Sequence, residues 1–368
     1  MVSISRRQAT AMGLGGLTAA CTTTPYHSIA SNREDIAPLL ISPENVARID
    51  VGLRPYRRNG FRVEREMFGD KALIHNYGHG GGGVSLSWGT SQLALDLGFT
   101  SEVKSYAVIG AGVVGLSTAL LLLDRGCNVR IFTKDPISKT TSNVAGAQWW
   151  PASVYQSGHI NDQYLNHHVE ASRIAFLKFQ SLVGPEYGVG WEPNYVLADQ
   201  PITTEPAPDG HPMSQFAINQ RDLEPNEHPF ASRYVRRFNT MMIDTPHYIR
   251  QLEQDVRLKG GEIIFEEIPD RSSISQLSET VIFNCSGLGA KELAYDEIIQ
   301  PIRGQLVILK PQSEIDYNVI TLGDLYMFDR RDGIVLGGTF QEDNWSTEPD
   351  EQDTQNILRG NQRLFARV

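Results

Sequence analysis

YAVIGAGVVGLST, residues 106–118, joins a short apolar strand to an apolar helix through three glycines in the spacing G-x-G-x-x-G. Such glycines allow a tight turn, a close approach of the backbone to a pyrophosphate and close packing of the helix on the strand. The free N–H groups and the positive dipole end of the helix then face the phosphates. The candidate dinucleotide-binding residues here are Gly110, Ala111, Gly112, Val113, Val114 and Gly115.

The residues that follow complete a β-α-β unit. Apolar side chains recur at helical spacing, Gly126 stands where a helix C-cap is expected, and residues 128–133 (NVRIFT) predict the second strand. An acidic residue usually ends that strand and holds a ribose, but here Thr133 is followed by Lys134 and Asp135. Lys134 would also suit the 2′-phosphate of NADP, so the fingerprint alone does not choose the cofactor.

Length and charge limit the class of protein. At 368 residues the chain is long enough for two domains, and 40% hydrophobic with 21% charged residues is ordinary for a globular protein. The net charge of −10, without a basic stripe, excludes nucleic acid as an expected partner. No apolar run is long enough to span a bilayer.

The first residues resemble an export signal. Ser5-Arg6-Arg7 precedes a mildly apolar, glycine-rich stretch over residues 9–20, as in twin-arginine signals, which carry folded proteins. The stretch ends at Thr18-Ala19-Ala20-Cys21, similar to a lipoprotein cleavage box, although Leu17 stands one position early. We expect export to the periplasm, with Cys21 as a candidate lipid anchor. The alternative is a plain N-terminal tail; in either case residues 22–40 are expected to be a linker.

Neither the cysteines nor the histidines predict a metal site. Cys127 and Cys285 lack the spacing of metal ligands and are expected to be buried apolar residues. His75 and His79 lie four apart, but in a glycine-rich segment without fixed helical spacing or a nearby third ligand.

A second glycine-rich motif lies upstream of the first. Residues 74–89 read IHNYGHGGGGVSLSWG and follow GLRPYR at 52–57. The four glycines of residues 80–83 leave the backbone bare, so its N–H and C=O groups can approach a flat ring. A helix is expected over residues 91–97.

These segments resemble the D-amino-acid oxidase family, which includes D-aspartate oxidase. Four further segments carry the same resemblance: KTTSNVAGAQWWP at 139–151, NCSG at 284–287, PIRGQLV at 301–307 and GIVLGGTFQEDNW at 333–345. The resemblance extends over residues 42–368. It implies an α/β fold with a Rossmann-like FAD domain (60–148 and 243–292) and a mainly antiparallel-sheet substrate domain (42–59, 149–242 and 293–368), after an export signal and linker (1–41).

The order of the segments differs from that of the family. There the G-x-G-x-x-G strand comes first, whereas here the GLRP and HNYGHGG segments precede it. The simplest interpretation is a circular permutation, with new ends between Val368 and the residues before Asp50, and a short connection at 98–104. An assembly of fragments is the less favoured alternative, because every expected segment occurs once.

The resemblance also implies site residues. Arg54 would hold the substrate carboxylate, Tyr326 would contact it, and the Gly81 carbonyl would accept a hydrogen bond from the amine. Where the family has a second tyrosine, this chain has Thr321. Gly82 stands where an aromatic residue is common, which predicts a more flexible loop. Further implied cofactor contacts are His79, Gly80, Gly83, Val84, Ser85, Thr140, Thr141, Ser142, Ile268, Ser286 and Gly287, with Trp149 and Trp150 near the pocket wall or in domain packing.

The implied reaction is oxidation of a D-amino acid to an imino acid by hydride transfer to FAD, with reduction of dioxygen or another acceptor. Three alternatives stay open: another amine or imino substrate, an NADP enzyme, and a flavoprotein without turnover. Arg330 or Arg331 is a candidate for binding an acidic substrate side chain. The oligomeric state is not indicated.

Overall fold

Two β-sheets, one largely parallel and one largely antiparallel, organise the chain. A computed structural model describes residues 34, 36–203 and 212–365. In these ranges the strands are β1 (Val46–Arg57), β2 (Arg62–Phe68), β3 (Lys71–Tyr77), β4 (Ser105–Ile109), β5 (Asn128–Thr133), β6 (Val189–Ala198), β7 (Ile218–Leu223), β8 (Tyr234–Ile243), β9 (Glu262–Phe265), β10 (Val281–Asn284), β11 (Ile299–Leu309), β12 (Asn318–Thr321), β13 (Tyr326–Phe328), β14 (Ile334–Gly337) and β15 (Gln341–Glu342). The α-helices are α1 (Gly83–Gly98), α2 (Val113–Leu123), α3 (Asp162–Ser181), α4 (Thr245–Leu258), α5 (Arg271–Ser275), α6 (Ala290–Leu293) and α7 (Glu351–Phe365).

The first sheet has the order β2-β3-β10-β4-β5-β9 and is parallel apart from the β2–β3 pair. Strands β3, β4 and β10 are almost entirely buried, as expected where helices cover a parallel sheet. Helices α1 and α2 pack on each other, and α2 packs on β4 and β5. The predicted β-α-β unit is therefore confirmed as β4-α2-β5, within a Rossmann-like sheet.

The second sheet has the order β1-β11-β14-β13-β12-β6-β8-β7, with β15 paired to β11. Its pairs are antiparallel except β6–β12. The predicted combination of a Rossmann-like sheet with a mainly antiparallel sheet is confirmed.

Two local expectations were wrong. Helix α1 begins at Gly83 rather than at residue 91, because Val84, Trp88 and Leu95 recur at helical spacing and are all buried. The predicted linker also contains packed structure by residue 36. Leu39 is 7% exposed within an apolar cluster, and the Tyr317 hydroxyl donates to the Ala37 carbonyl at 2.7 Å.

The predicted domain boundaries stay a prediction, although each strand of the first sheet falls within residues 60–148 and 243–292. Helix α3, predicted for the other domain, packs tightly on α1. A Cβ atom on Gly89 would lie only 1.8 Å from the Ala171 carbonyl oxygen. The apolar core therefore continues across the predicted boundary.

The predicted export signal and Cys21 lie outside the described residues. In the ranges given above, no helix has both the length and the apolar character needed to cross a bilayer. Cys127 and Cys285 are free thiols and are buried, as predicted.

Candidate active site

A cavity of about 1180 Å³ is lined by residues from both sheets. On one side it receives the residues that follow the carboxyl ends of β4, β5 and β10, where open α/β sheets bind ligands. On the other side it is lined by residues of β1, β11 and β13. This placement brings the two glycine-rich motifs of the sequence to one site.

The first fingerprint forms a bare backbone cradle on the cavity wall. Gly110 has φ +100°, and a Cβ atom there would lie 2.4 Å from the Cys285 carbonyl oxygen. Helix α2 begins at Val113, so its first N–H groups lie at the cavity. Residues 110–114 line the cavity, whereas Gly115 does not. A Cβ atom on Gly115 would lie 1.9 Å from the Gly110 carbonyl oxygen, so Gly115 serves helix–strand packing.

Three predicted residues lie where the cavity passes the end of β5. Lys134, Asp135 and Ile268 all line it, and Ile268 is buried. The Lys134 ammonium is 4.0 Å from the Glu267 carboxylate, but both side chains are largely exposed. An exposed pair of this kind contributes little free energy, so the Lys134 ammonium can leave Glu267 and contact a bound ligand.

The predicted hydroxyl groups line the cavity, and three of them already donate hydrogen bonds within the protein. Thr140 donates to the Ile137 carbonyl (2.8 Å), Thr141 to the Leu53 carbonyl (3.1 Å) and Ser286 to the Asn284 side-chain oxygen (2.6 Å). Ser142 instead accepts from the Val113 N–H at 3.1 Å. A hydroxyl that accepts keeps its proton, so Ser142 can donate to a ligand oxygen in the cavity, which Gly287 also lines.

The second glycine motif is covered by a neighbouring segment, residues 151–154. The Gly81 N–H donates to the Ser153 carbonyl at 3.0 Å, and a Cβ atom on Gly82 would lie 2.6 Å from Val154 Cγ2. A side chain at position 82 would press on the 151–154 segment, which accounts for a glycine there. The prediction of a more flexible loop stays a prediction. The predicted loop residues His79, Gly80, Gly83, Val84 and Ser85 also line the cavity.

The two histidines of this motif have partners that account for them. His79 Nε2 is 2.9 Å from Thr90 Oγ1, and its ring stacks on Phe61. Burial lowers the pKa of His79 to about 3, so the imidazole is neutral. His75 Nε2 is 3.0 Å from the Glu66 carboxylate. The two imidazole rings therefore contact different partners rather than one common ligand.

Arg54, Tyr326 and Gly81 line the same cavity. Arg54 lies on β1 and donates from Nη1 to the Thr339 carbonyl at 3.1 Å. The Tyr326 ring lies on Gly337, where a Cβ atom would be 1.9 Å from Cζ, and stacks on Phe328 at 4.7 Å. The three residues predicted for substrate binding are thus brought together.

Arg330 and Arg331 are not in the cavity lining, so neither can serve an acidic substrate there as suggested. The Arg330 guanidinium is buried, bonded to the Asp332 carboxylate and donating to the Ala145 carbonyl at 2.9 Å. Of the tryptophans, Trp150 lines the cavity, while Trp149 is fully buried against Phe176.

Among the residues of the cavity wall that sequence reasoning did not single out are Gln148, Gly304 and Thr339. Gln148 donates to the Asn194 side-chain oxygen, and Gly304 and Thr339 lie beside Arg54. A glycine inside the apolar segment PIRGQLV was an available signal, because a strand glycine often marks the close approach of another group.

The residues present fit FAD. The cradle at Gly110 and Gly112 admits a pyrophosphate only because side chains are absent, and the helix N-terminus supplies donors for it. The cavity continues from there to an arginine suited to a planar carboxylate. Fold and site together are those of a dinucleotide-binding protein whose cavity also holds an arginine suited to a carboxylate.

The family is shown directly by comparison. A family model described as FAD dependent oxidoreductase matches residues 105–368. The chain belongs to this family of FAD-dependent oxidoreductases, and its cofactor is FAD. The alternative that Lys134 binds the 2′-phosphate of NADP is therefore excluded. The match begins at β4, so the GLRP and HNYGHGG segments precede it.

Relatives and solved structures agree with that assignment. The chain is 32% identical over 268 residues to a D-amino-acid oxidase of Rubrobacter xylanophilus, covering 70% of this chain and 76% of that protein. It is 30% identical over 268 residues to the D-aspartate oxidase of Homo sapiens, covering 70% and 74%. Glycine oxidase from Bacillus cereus has a similar fold (TM-score 0.53, 17% identity, 71% and 78% covered), as has L-proline dehydrogenase from P. horikoshii (0.52, 15%, 72% and 77%).

Proposed function

We propose that this protein oxidises D-amino acids to imino acids, which water then converts to 2-oxo acids and ammonia. The observation that carries the proposal is that Arg54 and the Gly81 loop line one cavity with the dinucleotide cradle. Similarity to proteins named D-amino-acid oxidase and D-aspartate oxidase supports the substrate class.

In this reaction Arg54 binds the substrate carboxylate in a two-pronged contact, and the Tyr326 hydroxyl donates to the same group. The Gly82 N–H donates to the His79 carbonyl at 3.0 Å, which fixes the peptide between Gly81 and Gly82. Gly81 lines the cavity, and its carbonyl is the proposed acceptor for the substrate amine. Bound FAD would supply the acceptor for the Cα hydride and the means of passing its electrons to dioxygen or another acceptor. The protein supplies orientation rather than an acid or base.

An apolar part of the cavity wall favours a substrate with a neutral side chain. Leu306, Ile320 and Phe328 form an apolar cluster with Tyr326, and all four residues line the cavity. An ionised carboxylate buried against these groups would be costly without a cation. We therefore expect D-leucine to be a better substrate than D-aspartate.

The test is anaerobic mixing of the purified yellow protein with single amino acids, following the visible absorbance of the flavin. Rapid bleaching by D-leucine, slower bleaching by D-aspartate and none by L-leucine is expected. If every D-amino acid leaves the flavin oxidised while glycine or L-proline bleaches it, the substrate is another amine or imino acid. If no amino acid bleaches it, the alternative of a flavoprotein without turnover is favoured.

The circular permutation remains a proposal. It is supported by the short connection between α1 and β4, in which the Tyr106 hydroxyl pairs with Thr100, and by the Gln362 side chain donating to the Ile41 carbonyl at 2.9 Å. A chain re-ordered so that residues 105–368 precede residues 36–104 should bind FAD with unchanged affinity. A re-ordered chain that is insoluble or colourless would count against it. Export and lipid attachment at Cys21 stay predictions.

A further inference from the structure

Gly304 lies directly under the Arg54 guanidinium. In the antiparallel β1–β11 pair, Arg54 is opposite Ile302, so Gly304 is its diagonal neighbour on the same face. A Cβ atom on Gly304 would lie 2.5 Å from both Nη1 and Nη2 of Arg54 and 2.6 Å from Cζ. All three distances are shorter than nonbonded carbon contacts permit, so the planar guanidinium can occupy this place only above a glycine.

The surface beneath the guanidinium is held rigidly. Arg54 donates to the Thr339 carbonyl, while the Thr339 hydroxyl accepts from the Gln305 N–H at 2.9 Å. The strand residue after Gly304 is thus bonded to the residue that holds Arg54, and Gly304 and Thr339 are fixed relative to each other.

Neighbouring side chains of a strand point to opposite faces, so Arg303 and Gln305 lie on the face of β11 opposite to the one that Gly304 presents to Arg54. That face is also anchored. Arg303 and Gln305 are both buried. Arg303 pairs with Asp353 of α7 at 3.0 Å, and the Gln305 amide donates to the Asp350 carbonyl at 2.8 Å. When a side chain is added at 304, the strand therefore cannot retreat, and the Arg54 side chain has to move.

We propose that Gly304 is the positioning residue for substrate recognition: it sets the plane in which Arg54 presents its two N–H groups to a carboxylate. The inference rests on the proposed function, because it assigns Arg54 to the substrate carboxylate. Gly304→Ala keeps the arginine and its charge but displaces the guanidinium. The variant should fold and hold FAD, since the clash involves the far end of a flexible side chain.

The experiment titrates the FAD-loaded protein with benzoate and with benzamide, its neutral analogue of the same shape, and follows the flavin absorbance. In Gly304→Ala we expect the Kd of benzoate to rise at least about tenfold, the loss of one charge-assisted hydrogen bond, while the Kd of benzamide is unchanged. Gly190→Ala is the matched control, because that strand glycine has open space for a Cβ atom. A double-mutant cycle with Arg54→Lys should show that the two losses do not add, since both act on one contact.

An equal rise in the Kd of benzoate and of benzamide in Gly304→Ala, or loss of FAD, would overturn the proposal, because Gly304 would then shape the pocket in general. Unchanged benzoate binding would overturn it as well. Arg54→Ala separates this from a failure of the proposed function: if it leaves benzoate binding at the wild-type level, Arg54 is not the carboxylate ligand at all.

Discussion

Arg54→Ala is expected to lower kcat/KM for a D-amino acid by roughly 10²–10³-fold while leaving the FAD content at the wild-type level. Each hydrogen bond from a guanidinium to a carboxylate contributes about 1.5–3 kcal/mol, and every 1.4 kcal/mol is about tenfold. FAD is retained because the hydrogen bond of Arg54 goes to the Thr339 carbonyl and not to a residue of the Gly110 cradle.

Arg54→Lys distinguishes charge from geometry. Lysine keeps a positive charge but cannot form the planar two-pronged contact, so an intermediate loss is expected. The control is Arg48→Ala on the same strand. Arg48 pairs with Asp50 and Asp332 and does not line the cavity, so its removal should change kcat/KM little.

The measurement is kcat and KM separately, with the flavin absorbance relative to protein absorbance for each variant. A larger effect on KM than on kcat would mean that Arg54 mainly holds the substrate. An equal loss in Arg48→Ala, or a colourless Arg54→Ala protein, would show that the strand rather than the guanidinium matters.

The parts of the site that could be predicted from sequence are those fixed by local backbone requirements. The β4-α2-β5 unit was predicted because three glycines within six residues meet three backbone demands of one turn. The clustering of Arg54, Gly81 and Tyr326, which are far apart in sequence, came from the family resemblance, and the shared cavity agrees with it.

What sequence reasoning missed depends on contacts between distant segments. Gly304 is defined by a guanidinium 250 positions earlier, and Gly82 by the Val154 side chain. Arg330 stands four residues after Tyr326, which suggested a place in the pocket. Its charge is instead held by Asp332, and no local pattern indicates which way a side chain turns after a strand ends. Residues 36–40 have the local sequence of a linker, because the apolar partners of Leu39, such as Tyr317, lie far along the chain.

Gly115→Ala is expected to destabilise the apoprotein by about 1–3 kcal/mol, the usual cost of overpacking a core, and to weaken FAD binding. The added Cβ would lie 1.9 Å from the Gly110 carbonyl oxygen, a backbone atom that cannot rotate away. Helix α2 must then move off β4. Its residues are almost all buried, so the shift disturbs the core as well as the N–H groups at the cavity.

Gly112→Ala provides the contrast within the same motif. Its Cβ would lie 3.3 Å from the Ser142 hydroxyl, a side-chain atom that can rotate, so the apoprotein Tm should stay near that of the wild type. FAD should still bind more weakly, because Gly112 lines the cavity and the new methyl group obstructs the pyrophosphate.

The two glycines are separated by measuring the Tm of flavin-free protein and then the Kd for added FAD, with Gly190→Ala as control. A lowered apoprotein Tm in Gly115→Ala alone, with weaker FAD binding in both fingerprint variants, would assign packing to Gly115 and ligand approach to Gly112. Wild-type values for Gly115→Ala would mean that α2 can move away from β4 and relieve the 1.9 Å contact between the added Cβ and the Gly110 carbonyl oxygen without loss. In Gly115→Ala the shift of α2 disturbs both the core and the N–H groups at the cavity, so the apoprotein Tm falls and the Kd for FAD rises. In Gly112→Ala the methyl group only obstructs the ligand, so the Kd alone rises.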